Sequence, residues 1–330
     1  MKKILITGAS GYIGGVLAER LAANGHQVLA LIRTLPESGN GSTCITWVKG
    51  DLHDMPKLNE AMRGVEQVYH IAAYARPWAK DRSTFQRINV DGAENVFQAA
   101  ENQGVKRVVF TSTAGVFGPC QNDQPVHEGS QPWARVYTAY DRSKIAAENL
   151  ARARAAKGQE TVVVNPSRVY GPGNPATINA VNKMIQLYLK GRFRFMPGNG
   201  TGVGNYVYID DVINGHILAM EKGISGENYI LGGENTSYRS FFKEVGNVNG
   251  KHFRTLSMPI GLMQISAWIM QLRANWFGTP PAITPEWIDR FEVDWKLSHQ
   301  KASEVLGYQT TPLDQGINNT VHWLESLQKP

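Results

Sequence analysis

A doubly wound α/β fold, a parallel sheet with helices on both faces, is the architecture this 330-residue chain calls for. Three observations lead there. Short apolar runs alternate with helix-period segments from the first residues onward. The runs are continuously apolar, the pattern of strands covered on both faces. A turn with glycine at every third position, Gly8-Ala9-Ser10-Gly11-Tyr12-Ile13-Gly14, joins the first run to the first helical segment.

Residues 4–6 make the first strand. Residues 14–24 place Val16, Leu17 and Leu21 at helical spacing, and Gly25 is a stop signal,. Strands follow at 28–32, at 45–48 before Gly50-Asp51-Leu52, at 68–72, at 107–110 and at 162–164, with helices around 90–102 and 143–157. Past Pro166 the rhythm changes, with Gly and Pro clustered at 171–175 and 198–202. A strand at 206–209 and a helix at 212–220 are expected to return the chain to the sheet. Residues 238–330, irregular and rich in Trp and Pro, read as loops and helices over one edge of the sheet. The expected division is a nucleotide-binding unit at 1–165, rejoined by 205–231, and a substrate lobe from 166–204 and 232–330.

The formal net charge is +6, with 34 Lys and Arg against 28 Asp and Glu. That excess permits anionic small molecules and requires neither nucleic acid nor membrane. With 42% hydrophobic residues and only 19% charged ones, disorder and coiled coil are excluded,. Two cysteines exclude a disulfide scaffold and zinc fingers and suit a reducing, cytoplasmic setting,. The N-terminal residues read as a strand, not a signal peptide. The apolar stretch at 258–272 contains Gln264 and stops short of a membrane span,. The eight histidines show no metal-ligand spacing, so no metal is expected.

The glycine turn suits a pyrophosphate. It lets backbone approach the anion closely, and the helix behind it offers free N–H groups and a partial positive charge. At the end of the second strand stands Arg33 where a carboxylate would favour NAD. Its planar guanidinium suits a 2′-phosphate, so NADP(H) is preferred, with NAD(H) possible. Asp51 can accept from an adenine amino group or cap the following helix.

Tyr140 and Lys144 lie at i and i+4 on one helix face,. A nearby ammonium would lower the phenol pKa, and such a tyrosine can pass a proton to a carbonyl oxygen. Tyr137 shares that face. Residues 108–113 are a buried strand ending in three hydroxyls, Thr111, Ser112 and Thr113. Asn89 opens a helix as a cap, or holds water or backbone in a proton relay.

In this order the pieces resemble the extended short-chain dehydrogenases/reductases, the NAD-dependent epimerase/dehydratase superfamily. The matching stretches run nearly end to end: 7–14, Gly50-Asp51-Leu52, 70–73, 89–92, 111–113, Tyr140-x-x-x-Lys144, 166–173, 208–212 and 306–308. The resemblance implies a Rossmann-type sheet with a smaller C-terminal α/β substrate lobe. It implies that Gly8, Ser10, Gly11, Tyr12, Ile13 and Gly14 wrap the pyrophosphate and that Asp51 and Leu52 hold the adenine. Ala72, Ala73, Tyr74 and Thr111 would line the cofactor, and Pro166 and Ser167 would pass its carboxamide. Tyr140 would be the acid/base, Lys144 its ribose-binding partner and Thr113 the catalytic hydroxyl, with Ser112 the fallback.

Ala114-Gly115 stands where sugar dehydratases carry an acidic pair, and Arg33 departs from nucleotide-sugar epimerases. The sequence is more similar to the dihydroflavonol-reductase-like and 3β-hydroxysteroid-dehydrogenase-like branch. That implies an oxidoreductase reducing a ketone or aldehyde, or oxidising an alcohol, and a homodimer. A nucleotide-sugar epimerase and a non-catalytic NADP(H)-binding regulator are the alternatives. Tyr74, Pro77, Trp78, Trp133 and Phe195 are candidates to line a ring-binding pocket or to pack the lobe. Arg168 is a candidate for an anionic substrate group or a carboxylate partner.

Overall fold

The computed structural model describes residues 1–35, 44–131 and 138–327. The chain begins with β1 (Lys3–Thr7), α1 (Tyr12–Ala23), β2 (Gln27–Ile32), β3 (Ile45–Lys49), α2 (Met55–Ala61) and β4 (Gln67–His70). Then α3 (Ser83–Phe85), a π-helical stretch (Gln86–Asp91) and α4 (Gly92–Asn102) lead to β5 (Arg107–Thr111). The long helix α5 (Ala139–Ala156) precedes β6 (Thr161–Pro166). Next come β7 (Arg168–Tyr170), α6 (Ala180–Leu189), β8 (Phe195–Pro197), β9 (Val203–Tyr208), α7 (Ile209–Lys222) and β10 (Asn228–Leu231). The last part holds β11 (Glu234–Ser237), α8 (Tyr238–Asn249), β12 (Leu256–Met258), α9 (Ile260–Phe277), α10 (Pro285–Ile288), α11 (Gln300–Leu306) and α12 (Leu313–Ser326).

Seven strands form one parallel sheet in the order β10-β6-β5-β4-β1-β2-β3. Its continuous apolar runs are explained by two cores. Ile4, Ile6, Val28, Ala30, Val109 and Val162 pack on the side of α1 and α7. Leu5, Leu29, Leu31, Val108, Phe110 and Val163 pack on the side of α4 and α5. Each such Leu, Ile, Val or Phe contributes about 1.5–3 kcal/mol by burial. The chain moves from β1 toward β3, then crosses back to β4 and moves the other way. The crevice beyond the strand ends at β1 and β4 is therefore the switch point where a doubly wound sheet binds its ligand.

Two expectations need correction. The strand at 206–209 does not rejoin the main sheet; β9 pairs with β7 and β11 in a separate three-stranded sheet. The return is made by α7 and β10, whose Ile230 and Leu231 are fully buried beside β6. Residues 238–327 are also more regular than their Trp and Pro content suggests. Ser237 accepts from Ser240 N at 3.1 Å to start α8, and Gly250, at φ 67°, ends it,.

Candidate active site

The glycine turn is built by close backbone contact. Gly8 has φ 78°, and a Cβ there would lie 2.6 Å from Ala72 N. A Cβ on Gly14 would lie 2.2 Å from Gly8 O. Only glycine lets the end of β1, the start of α1 and the segment after β4 converge. The first turn of α1 has no side-chain cap and no acidic residue, so its N–H groups are available to an anion,. Ser10 is exposed at this turn, and Gly11 and Ile13 are half-buried. The Tyr12 side chain is otherwise engaged. Its hydroxyl donates to Gly171 O at 2.7 Å and accepts from Asn182 at 3.3 Å. Tyr12 thus ties the 171–173 loop to α1 and leaves only its backbone to a ligand.

Arg33 is exposed just beyond β2. Asp51 is exposed after β3 and does not cap α2: Asp54 does, accepting from Lys57 N at 3.2 Å. Asp51 Oδ1 accepts instead from His53 N at 2.9 Å. Leu52 packs against Gly92, and its carbonyl accepts from Asn95.

Helix α5 starts with a reciprocal cap. Thr138 Oγ1 accepts from Asp141 N at 3.1 Å, and Asp141 accepts from Thr138 N at 3.0 Å,. Tyr140 is half-buried in this first turn. One turn on, Lys144 is 1% exposed, its Nζ 4.3 Å from the centroid of the Phe110 ring. That Nζ has no hydrogen-bond partner among the described residues. The expected downward tuning of the phenol is reversed here. Burial pushes the Tyr140 hydroxyl well above its ordinary value, the Asp141 carboxylate adds to this, and Arg290 opposes it. Burial also brings Lys144 down to about 7, with Glu148 opposing. An ammonium desolvated this far is a weak source of Coulomb stabilisation until something hydrogen-bonds it.

The three hydroxyls at the end of β5 separate by strand alternation. Phe110 faces Lys144, so Thr111 faces the other layer, where its Oγ1 meets His216 Nε2 at 2.9 Å. The Thr111 hydroxyl is therefore engaged by His216. Ser112 Oγ is buried without a partner among the described residues. Thr113 Oγ1 accepts from Gly115 N at 3.2 Å, capping a 3₁₀ turn at Ala114–Phe117. A Cβ on Gly115 would lie 2.3 Å from Asp141 Oδ1, so the loop carrying Thr113 sits directly on the turn carrying Tyr140.

Asn89 is not a helix cap. It is buried inside the π-helical stretch, where its Oδ1 accepts from Tyr74 N at 2.6 Å and its Nδ2 donates to Ser143 Oγ at 2.8 Å. It fixes the segment containing Ala72, Ala73 and Tyr74 against α5. Across the crevice, Pro166 ends β6, and Ser167 Oγ is buried without a partner among the described residues.

Arg168 finds no carboxylate among the described residues. It donates to Tyr238 at 2.9 Å and Tyr206 at 3.3 Å and lies over both rings. A small cavity of about 10 Å³ is lined by Pro77, Trp78, Ala79, Phe85, Ala139, Gln271 and Thr284 together with the charged Arg82 and Glu286, and Tyr74 donates to Trp78 O at 3.0 Å. Phe195 is 51% exposed on β8 and faces solvent. Trp133 and Tyr137 lie outside the described residues. No metal-binding cluster occurs among the described residues.

Two contributors carry weak local signals. Arg290 donates to Asp141 Oδ2 at 2.6 Å, with side-chain exposures of 12% and 2%, and lies 3.8 Å from the Trp295 ring centroid. His70 stacks on Phe110 at 5.5 Å, and its Nδ1 meets Thr7 Oγ1 at 2.7 Å. Burial brings its pKa to about 3, so it is neutral. The Thr138-x-x-Asp141 spacing announces a cap, but nothing in the sequence joins Asp141 to a residue 149 positions away.

Buried amine and hydroxyl groups without partners each cost about 1–3 kcal/mol unless a ligand satisfies them. Lys144 Nζ, Ser112 Oγ and Ser167 Oγ are such a set, at the ends of α5, β5 and β6 around the switch point. Together with the uncapped turn of α1, they fit a nicotinamide dinucleotide.

The profile described as the NAD dependent epimerase/dehydratase family matches residues 4–232. A Synechocystis protein, provisionally named a dihydroflavonol 4-reductase, is 31% identical over 97% of this chain and 94% of its own length. Sterol demethylase protein B of Methylococcus capsulatus is 32% identical over 79% of this chain and 78% of its own. The crystal structure of gox2253 superposes with a TM-score of 0.84 at 29% identity, covering 99% of both chains. The Rossmann-type sheet, the glycine turn and the Tyr140–Lys144 helix thus stand in a chain that belongs to the NAD dependent epimerase/dehydratase family, the extended short-chain dehydrogenase/reductase enzymes.

Proposed function

We propose that this enzyme is an NADP(H)-dependent reductase of an apolar ketone or aldehyde, running reversibly as an alcohol dehydrogenase. The observation that carries the reading is the buried Lys144 amine, unpartnered among the described residues, one turn beyond Tyr140. Gly115 supports it, because the Asp141 contact leaves no room there for the acidic side chain an elimination would use. The two curated relatives described above bear names that contain a ring-bearing molecule. The two-lobed division, a cytoplasmic setting and a homodimer belong to the same reading.

The chain's residues divide the work as follows. Gly8 to Gly14 and the first turn of α1 hold the pyrophosphate, Asp51 and Leu52 the adenine, and Arg33 the 2′-phosphate. Ala72, Ala73, Tyr74, Pro166 and Ser167 line the nicotinamide end. When bound, NADP(H) supplies the hydride for the carbonyl carbon. Thr113 donates to the carbonyl oxygen and orients it. Tyr140, kept protonated by its raised pKa, gives that oxygen its proton,. Lys144 donates to ribose hydroxyls, and hydrogen bonding favours its charged form, which then stabilises the phenolate.

Arg33 provides the cofactor test. A charge-assisted hydrogen bond contributes about 1.5–3 kcal/mol, so Arg33→Ala should lower the NADPH-over-NADH ratio of kcat/KM about 10- to 100-fold. The measurement is steady-state reduction of a carbonyl panel followed at the nicotinamide absorbance. An unchanged ratio, or a wild-type preference for NADH, removes Arg33 from the account.

A further inference from the structure

We propose that helix α9 docks this protein on an anionic membrane surface. The helix is apolar around most of its circumference, yet only one side is covered. Ala267 and Ala274 are fully buried, Gln264 donates to Asp289 at 2.7 Å, and Gln271 lines the cavity beside Ala139. On the other side Leu262, Ile265, Trp268, Ile269, Trp276 and Phe277 are between 53% and 79% exposed. Leu262, Ile265, Ile269 and Trp276 recur at helical spacing, so they form one stripe rather than scattered positions,.

The stripe continues past the helix. Phe195 and Leu256 are register partners in β8 and β12, both about half exposed, and Ile260 packs on the adjoining Gly198. A contiguous apolar surface of this kind on a folded chain marks an interaction site.

Charge selects the occupant. Residues 180–200 and 250–278 hold seven Lys and Arg and no Asp or Glu, which exceeds the formal net charge of +6 for the whole chain. All seven are exposed. Arg192, Arg194 and Arg254 lie within three residues of Phe195 or Leu256, and Arg273 is on α9 itself. Two carboxylates packed near α9 are engaged: Glu286 pairs with Arg82 at 3.2 Å, and Asp289 accepts from Gln264. Tryptophan and aliphatic side chains beside a basic surface are what anionic headgroups over an acyl region receive. A second copy on this face would bring two sets of like charges together. No helix among the described residues is long and apolar enough to cross a membrane, so α9 would lie along the surface.

This goes beyond the reductase reading, and its test reads binding rather than turnover. The full-length protein is sedimented with unilamellar vesicles of phosphatidylcholine, alone or with about one-third phosphatidylglycerol. Binding to the mixed vesicles should be at least about tenfold tighter than to phosphatidylcholine alone and should weaken as salt is raised. The double variant Trp268→Ser/Trp276→Ser should bind at least about tenfold more weakly with its thermal unfolding midpoint retained, since both side chains are already in water. Arg192→Gln/Arg254→Gln should lose only the preference for anionic vesicles. The proposal is overturned if neither vesicle binds, or if the tryptophan variant binds like wild type. A dimer in sedimentation equilibrium that the same variant converts to monomer also overturns it, because the face then belongs to a second copy.

Discussion

Tyr140→Phe lowers kcat/KM for carbonyl reduction by about 10²–10⁴-fold while leaving NADPH affinity within a few-fold of wild type. The substitution removes one oxygen and keeps the ring. Asp141 still caps α5, Gly115 still packs on its carboxylate, and Lys144 is untouched. What is lost is the proton donor alone. The two terms should therefore separate, with fluorescence titration of NADPH unmoved and turnover collapsed. Because burial holds the phenol above its ordinary pKa, wild-type reduction should show no loss through neutral pH from premature ionisation of Tyr140. A variant that keeps turnover within a few-fold of wild type would show that another group delivers the proton.

Asp141→Ala destabilises the fold by about 3–5 kcal/mol, the cost of breaking a buried ion pair. The carboxylate is 2% exposed and accepts from Thr138 N, Thr138 Oγ1 and Arg290 Nη1. Removing it leaves the Arg290 guanidinium inside the lobe, between Trp287 and Trp295, with Arg168 as a like-charged neighbour. The start of α5 also loses its cap. Urea unfolding of the pure protein measures the change. A loss below about 1 kcal/mol would place the pair among exposed ones and detach the C-terminal lobe from the catalytic turn.

The main sheet was legible because its strands are buried on both faces, so apolar runs at Ile4, Val28 and Val162 stand out without context. The cofactor turn was legible because Gly8 and Gly14 are backbone requirements that no other residue meets. The hydroxyl triplet was only half legible. Strand alternation assigns Thr111 to the His216 layer and Ser112 to the opposite one, but only once the Lys144–Phe110 contact shows which layer is which. Tyr12 and Arg290 were illegible, since each acts through a partner roughly 150 residues distant. The expected phenol tuning failed for a physical reason: proximity of Lys144 on a helix was weighed, and burial of the phenol itself beside the Asp141 carboxylate was not.

The central claim is that Tyr140 and Lys144 serve hydride transfer to a carbonyl. The direct measurement is incubation of the enzyme with NADPH deuterated at the transferring C4 position and a ring-bearing ketone, with mass analysis of the alcohol. The account predicts one deuterium on the carbinol carbon with wild type, and a rate of labelling cut by the factor given above with Tyr140→Phe. Alcohol formed without the label, or label transferred equally fast by the Tyr140→Phe enzyme, would contradict it.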